Sequence, residues 1–195
     1  MKKASLFILF CITTILTSCS ETDIVDNEFA NWQERNDAYF TSIYAKAKQA
    51  ADNGDSSWKI IRAYTKQEGT ANINDYIVAE VITDGGNTQT VNYTDSVSLL
   101  YQGRLMPSDS YPEGRIFTST WTGDYDLETA APVRTVLAGM VDGFTTAGMA
   151  MHPGDRWRVY IPYSLGYDAN AKDDIPAYST LIFDLTLLKA WQQRK

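Results

Sequence analysis

Few side chains in this sequence could make or break a covalent bond. There are two cysteines, Cys11 and Cys19, and one histidine, His152. A lone histidine cannot build a multi-histidine metal site, and its place beside Pro153-Gly154 marks it as a turn residue. The adjacent carboxylates Asp173 and Asp174 could be set against a cation, but an isolated acidic pair in a loop is ordinarily solvated. Cys11 lies in an apolar run and Cys19 just beyond it, so both belong to the N-terminal end rather than to a catalytic constellation.

That end has its own chemistry. Lys2 and Lys3 precede the run Leu6–Leu16, broken only by Thr13 and Thr14. The run is too short to span a bilayer, which takes ~20 apolar residues, but it suits the apolar region of an export signal. Leu16-Thr17-Ser18-Cys19 then resembles a bacterial lipobox, in which cleavage precedes the cysteine and its sulfur is acylated. The expectation is a leader at residues 1–18, an acylated Cys19, and a cell-envelope protein held to a membrane, with the outer membrane as the expected surface. One acyl chain gives only K on the order of 10⁴ M⁻¹, so such an anchor needs several. With Cys11 discarded and Cys19 acylated, disulfide, thiolate and cysteine–metal chemistry drop out. The chain carries 17 basic and 24 acidic residues, and losing Lys2 and Lys3 makes the balance more acidic still. That argues against nucleic acid, whose phosphates need a basic patch.

The elements follow from periodicity. After an acidic tether (Ser20–Asp26), Phe29, Trp32, Tyr39, Phe40, Ile43 and Ala47 fall on one helical face, opposite Glu34, Arg35, Asp37, Lys46 and Lys48. The spacing predicts an amphipathic helix over 27–52, capped by Asp26 and stopped at Asn53-Gly54. Its aromatic stripe must be covered, and packing within its own chain is the expected solution, with a dimer or partner contact as the alternative. Strands are predicted at 59–65, 76–83, 97–105, 115–118, 133–137, 156–162 and 181–188, with a turn at Asp84–Asn87. One helix, 141–151, interrupts them. Strands with a single late helix make an α+β domain, an antiparallel twisted sheet wrapped around that short helix. The chain thus divides into a leader at 1–18, an anchor, tether and helix at 19–57, and a domain at 58–195.

Order and spacing now become specific. Val97–Gly103 (VSLLYQG) followed by Ile116–Ser119 (IFTS) resembles the opening V-x-V-x-Y-x-G and F-D-S segments of an FKBP domain. Val136–Asp155, Arg156–Tyr167 (RWRVYIPYSLGY), Ile175-Pro176 and Ser179–Leu188 (STLIFDLTLL) are similar to the segments that follow in that family. Four segments in the right order carry far more weight than any one.

The resemblance implies a peptidyl-prolyl cis-trans isomerase acting on proline-containing polypeptides, without cofactor or metal. The chemistry suits a chain poor in reactive groups. Peptide-bond rotation meets a barrier of ~18–20 kcal/mol from C–N resonance. The twisted transition state has lost that resonance and is less polar, so an apolar aromatic pocket favours it. Carried over residue by residue, the pocket is implied to comprise Tyr101, Phe117, Met140, Val141, Phe144, Tyr167, Ile175 and Phe183. Phe144 stands where the family has a tryptophan floor. The Val141 amide and the Tyr167 hydroxyl are implied to hold the substrate carbonyl. Thr118 stands in place of the usual pocket aspartate, Val133 in place of a common aromatic and Asp168 in place of a glycine. The segment Trp121–Ala131 is longer than usual. These departures bear on the rate, and they keep a second reading open: a binding or chaperone module of the same fold with little turnover. Nothing in the sequence sets the oligomeric state.

Overall fold

Two strands have sequences that leave no face for water. Tyr76–Thr83 (YIVAEVIT, β2) buries Ile77, Val78 and Ala79 in succession, and Leu181–Trp191 (β7) is buried continuously from Leu181 to Leu187. Near-continuous apolar runs of this kind mark strands covered on both faces. The computed structural model, which describes residues 27–192, shows what covers them.

Among the described residues the chain runs α1 (Trp32–Asp52), β1 (Trp58–Arg62), β2, β3 (Ser96–Arg104), β4 (Ile116–Ser119), β5 (Val133–Val136), α2 (Asp142–Ala150), β6 (Arg156–Ile161) and β7. The strands form one antiparallel sheet in the order β1-β2-β6-β7-β3-β4, with β5 pairing the first half of β3. This is the α+β class expected from the sequence, an antiparallel sheet with a short helix against it. The concave face carries Ile77, Ala79, Trp157, Val159, Leu181, Phe183, Leu185 and Leu187, packed on Phe144, Ala147 and Met151 of and beside α2.

The opposite face carries a second cluster. Trp58, Val78, Tyr160 and Ile182 pack against Phe40 and Ala47 of α1. The first helix therefore lies across the convex side of the sheet and makes a third layer. Beside it, Asp184 is 5% exposed and bridges two cations, Arg158 Nε at 2.8 Å and Arg104 Nη2 at 3.1 Å. The Asp184 hydrogen bond holds the Arg158 guanidinium charged above its ordinary range. Burial pushes the Tyr39 hydroxyl of α1 up, with Tyr160 adding to it.

The helix starts later than the spacing predicts. Asn27–Phe29 form a separate 3-10 turn, and Asn31 takes a left-handed conformation (φ 50°, ψ 38°) that breaks the path before Trp32. Asparagine tolerates that region better than most residues. The break lets Phe29 fold back edge-on against Trp32, ring centroids 5.0 Å apart. Asp26, the expected cap, lies outside the described residues, as do Cys19 and the leader. The stop is as read: the Asn53 amide closes on Gln49 O, and Gly54 is left-handed at φ 79°.

The ion cluster on the convex face yields a prediction. Asp184→Ala should destabilise the protein by about 3 kcal/mol, the lower end for a broken buried pair because Arg158 reaches solvent. Chemical denaturation measures it, and a loss below ~1 kcal/mol would show that the bridge is a spectator.

Candidate functional site

The site begins with a glycine. A Cβ on Gly103 would lie 2.6 Å from the Phe117 ring and 2.7 Å from the Phe183 ring, so only glycine lets both rings close over β3. Across the strands, Phe183, Gly103 and Thr118 stand in one row. The next pair is Arg104 with Ile116, so the ladder skips Phe117. Such a bulge re-aims a side chain. It explains how consecutive residues Phe117 and Thr118 both face one cleft while Ile116 points to solvent.

Phe183 is the hub of the ring cluster. It meets Phe117 at 5.6 Å, Phe144 at 5.1 Å and Tyr101 at 6.2 Å, all edge-to-face. Edge-to-face pairs at this spacing are the favoured aromatic geometry. Above these rings opens a cleft of about 280 Å³. Tyr101 of β3, Phe117 and Thr118 of β4 and Phe183 of β7 form one side. Met140, just before α2, and Tyr167, after the 3-10 turn Tyr163–Leu165, form another. Lys172, Asp173, Asp174 and Ile175 close the rim.

Most of the residues singled out in the sequence thus converge: Tyr101, Phe117, Thr118, Met140, Tyr167, Ile175 and Phe183 line one cleft. Three sit differently. Phe144 is 1% exposed and lies beneath Tyr101 and Phe183, so it backs the floor without lining it. Val141 caps α2 in an extended conformation, and its carbonyl accepts from Thr145 N at 3.0 Å. The amide of an N-cap residue stands outside the helical ladder and can serve a ligand. Val133 lines a neighbouring groove with Trp121, Thr129 and Ala131 that shares only Tyr101 with the cleft.

The long 121–131 segment has an anchor of its own. The Tyr125 hydroxyl is 2.9 Å from Thr186 Oγ1, and the Arg156 guanidinium lies 3.7 Å from the centroid of the Tyr125 ring. Asp168, in the usual glycine position, is left-handed at φ 54°. Aspartate is among the few non-glycine residues that adopt this region readily, so the backbone the glycine would serve is retained.

Of the rim residues, Ile175 was read from the sequence as part of the pocket, Asp173 and Asp174 only as a solvated acidic pair, and Lys172 not at all. Lys172 and Ile175 exchange backbone hydrogen bonds, Lys172 pairs with Asp173 at 3.3 Å, and Asp173 is left-handed at φ 50°. The Asp174 carbonyl accepts from Arg115. The signal that could have placed Lys172, Asp173 and Asp174 at the cleft was their position directly before Ile175-Pro176.

With the cleft defined, its relatives can be compared. The family model for the FKBP-type peptidyl-prolyl cis-trans isomerase matches residues 87–188. The chain belongs to this family. All the cleft-lining residues fall within the matched span. The FKBP chain is 31% identical over 113 residues to the macrophage infectivity potentiator of Trypanosoma cruzi, covering 57% of this chain and 52% of that protein. It is 26% identical over 141 residues to the FKBP-type isomerase FkpA of Escherichia coli K12, covering 72% of this chain and 47% of that one. It thus spans about half the length of these curated relatives. Among solved structures, a peptidyl-prolyl cis-trans isomerase of Pseudomonas syringae superposes with a TM-score of 0.53 at 22% identity, covering 80% of this chain and 96% of that one. Escherichia coli FkpA gives 0.50 at 23%, covering 81% and 63%. At such identities the likeness establishes the FKBP fold.

The close approach at Gly103 is testable. Gly103→Ala should cost about 1–3 kcal/mol, the range for overpacking a filled interior, and should push the Phe117 and Phe183 rings into the cleft. Thermal unfolding and a crystal structure of the variant check it. Unchanged stability and unmoved rings would show the approach to be loose.

Proposed function

We propose that this chain catalyses cis–trans rotation of X-Pro bonds in exported polypeptides, from a lipid anchor at Cys19 on the outer membrane. The observation that carries the catalytic reading is the cleft walled by Tyr101, Phe117, Phe183, Met140 and Ile175. Uncatalysed X-Pro isomerisation takes tens to hundreds of seconds. A proline ring seated against Phe117 and Phe183 leaves water, and so does the rotating amide. The less polar twisted state then gains on the planar ground state, and each ~1.4 kcal/mol of that difference is tenfold in rate. The Val141 amide and Tyr167 hydroxyl supply donors to the substrate carbonyls, which holds the chain while the bond turns. No proton is transferred and no bond is broken, so the scarcity of reactive side chains is no obstacle.

Thr118 favours a second reading. It lines the cleft where relatives of this family carry a carboxylate, so the cleft wall is uncharged at that point. A cleft so altered could hold proline-containing segments with little turnover, as a binding or chaperone module. The anchor reading rests on the lipobox-like Leu16–Cys19 behind a short apolar run.

A protease-coupled assay on X-Pro peptides separates the two readings. In an isomerase, Phe117→Ala lowers kcat/KM at least about tenfold. Its stability cost stays well under the ~3–5 kcal/mol of a core phenylalanine, because Phe117 is half-buried. Thr118→Asp raises kcat/KM if the missing carboxylate limits the rate. A well-folded wild-type chain that binds such peptides but does not turn them over would establish the binding module instead.

For the anchor, Cys19→Ala should move the protein from the membrane to the soluble fraction. Retention on the membrane would overturn the lipid assignment.

A further inference from the structure

The rim of the cleft is built from backbone that does not hold itself in place. Between residues 168 and 178, three non-glycine residues are left-handed: Asp168 at φ 54°, Asp173 at φ 50° and Tyr178 at φ 60°. Residues in that region persist only where the surroundings over-determine them. Local contacts supply part of this, in the Lys172–Ile175 bridge and the Tyr178 N–H donating to Asp168 O at 2.8 Å. The remaining anchors come from far away in sequence.

Three of them lead to residues 29–36. The Trp32 indole Nε1–H donates to Ser179 Oγ at 2.9 Å, and that hydroxyl donates to Pro176 O at 2.6 Å. The Thr180 N–H donates to Asn36 Oδ1 at 2.7 Å, while Asn36 Nδ2–H donates to Trp32 O at 2.7 Å. Asn36 is fully buried, and both ends of its amide are used. Arg115, which donates to the Asp174 carbonyl, lies over the Phe29 ring at 5.3 Å, and Phe29 in turn sits edge-on to Trp32. The start of α1 thus grips the segment 174–180 from behind. The front of the same segment presents Asp174 and Ile175 to the cleft.

Phe29, Trp32 and Asn36 lie outside the family match at 87–188. We propose that Trp32 and Asn36 are positioning residues of the isomerase cleft: through Ser179 and Thr180 they set where Ile175 stands against Phe117 and Phe183. This rests on the isomerase reading above and gives the first helix a role in that site. The Trp32 indole, the Ser179 hydroxyl and both ends of the Asn36 amide are all used, and buried polar groups so paired favour one arrangement of the backbone they hold. Removing a donor or acceptor releases that arrangement while leaving the aromatic wall untouched.

The experiment compares Trp32→Phe and Asn36→Ala with wild type in the full chain. Trp32→Phe keeps an aromatic ring in place but loses the indole donor and part of the ring volume, and Asn36→Ala probes the other arm of the network without touching a ring. Ala47→Gly is the control: Ala47 is buried in the convex-face cluster of the same helix, away from the 174–180 segment, and glycine weakens the helix itself. Kinetics are measured well below every variant's unfolding temperature, with amide hydrogen exchange on Ile175–Thr180 and binding of a proline-containing tetrapeptide alongside. Trp32→Phe and Asn36→Ala should raise KM and peptide Kd about three- to tenfold, as expected for loss of one buried hydrogen bond. They should leave kcat within about twofold and speed exchange at Ile175–Thr180. Ala47→Gly should do neither. Wild-type KM, Kd and exchange in both variants, or an equal rise in the Ala47→Gly control, overturns the proposal while the isomerase reading stands. A wild-type chain that neither turns over nor binds the peptide removes the isomerase reading itself, and this proposal with it.

Discussion

The side-chain alternation of β7 is the constraint on which both halves of this molecule hang. Leu181, Phe183, Leu185 and Leu187 face α2 and the cleft, while Ile182, Asp184 and Thr186 face α1 and the long 121–131 segment. A strand has a side-chain period of two, so a slip of one residue would exchange the two sets. Phe183 would leave the ring cluster and Asp184 would enter it. The register is held from both sides: apolar packing fixes the concave set, and the Arg104–Asp184–Arg158 bridge fixes the convex set. A slip of one residue would take the buried Asp184 carboxylate away from both guanidiniums, so the ion cluster is compatible only with the register seen.

From that register the cleft follows with little further specification. Phe183 stands opposite Gly103, and the absent Cβ leaves room for the Phe117 ring that the bulge in β4 turns inward. Phe144 of α2 closes the underside. The result is a largely aromatic concavity with no ionised group among its strand-borne walls, and charge enters at the rim through Lys172, Asp173 and Asp174. Such a surface suits a reaction whose transition state is less polar than its ground state, and it would be a poor place to stabilise a developing charge.

The rim obeys different physics from the walls. The walls formed by Tyr101, Thr118 and Phe183 are ladder strands, whose hydrogen bonds are made within the sheet, whereas the rim is irregular backbone that must find partners elsewhere. It finds them in Arg115 and in the first turn and a half of α1. The helix that covers the convex face therefore also reaches the segment behind the cleft rim, and a fragment without residues 29–36 would lack the Trp32 and Asn36 hydrogen bonds to that segment.

Much of this was legible in the residues themselves. The number and order of the strands and the late helix follow from apolar periodicity, because burial on one or two faces imposes periods of two and 3.6 wherever the partner lies, although β1 ends at Arg62 rather than 65 and β7 runs on to Trp191 rather than 188. The cleft walls were legible for a second reason: Tyr101, Gly103, Phe117, Ile175 and Phe183 sit inside ordered motifs that resemble the family's. Other features depended on contacts between segments far apart in sequence, which no local pattern encodes. Asn31 broke the expected helix so that Phe29 could return to Trp32, and Val133 fell into a separate groove because the long segment beside it folds towards Thr186 and Arg156. Phe144 sank below the floor it was expected to form, since Tyr101 and Phe183 close above it. The amide of Asn36 reads in sequence as a polar residue on a helix, and only the arrival of the Thr180 backbone, 144 residues later, makes it a buried clamp.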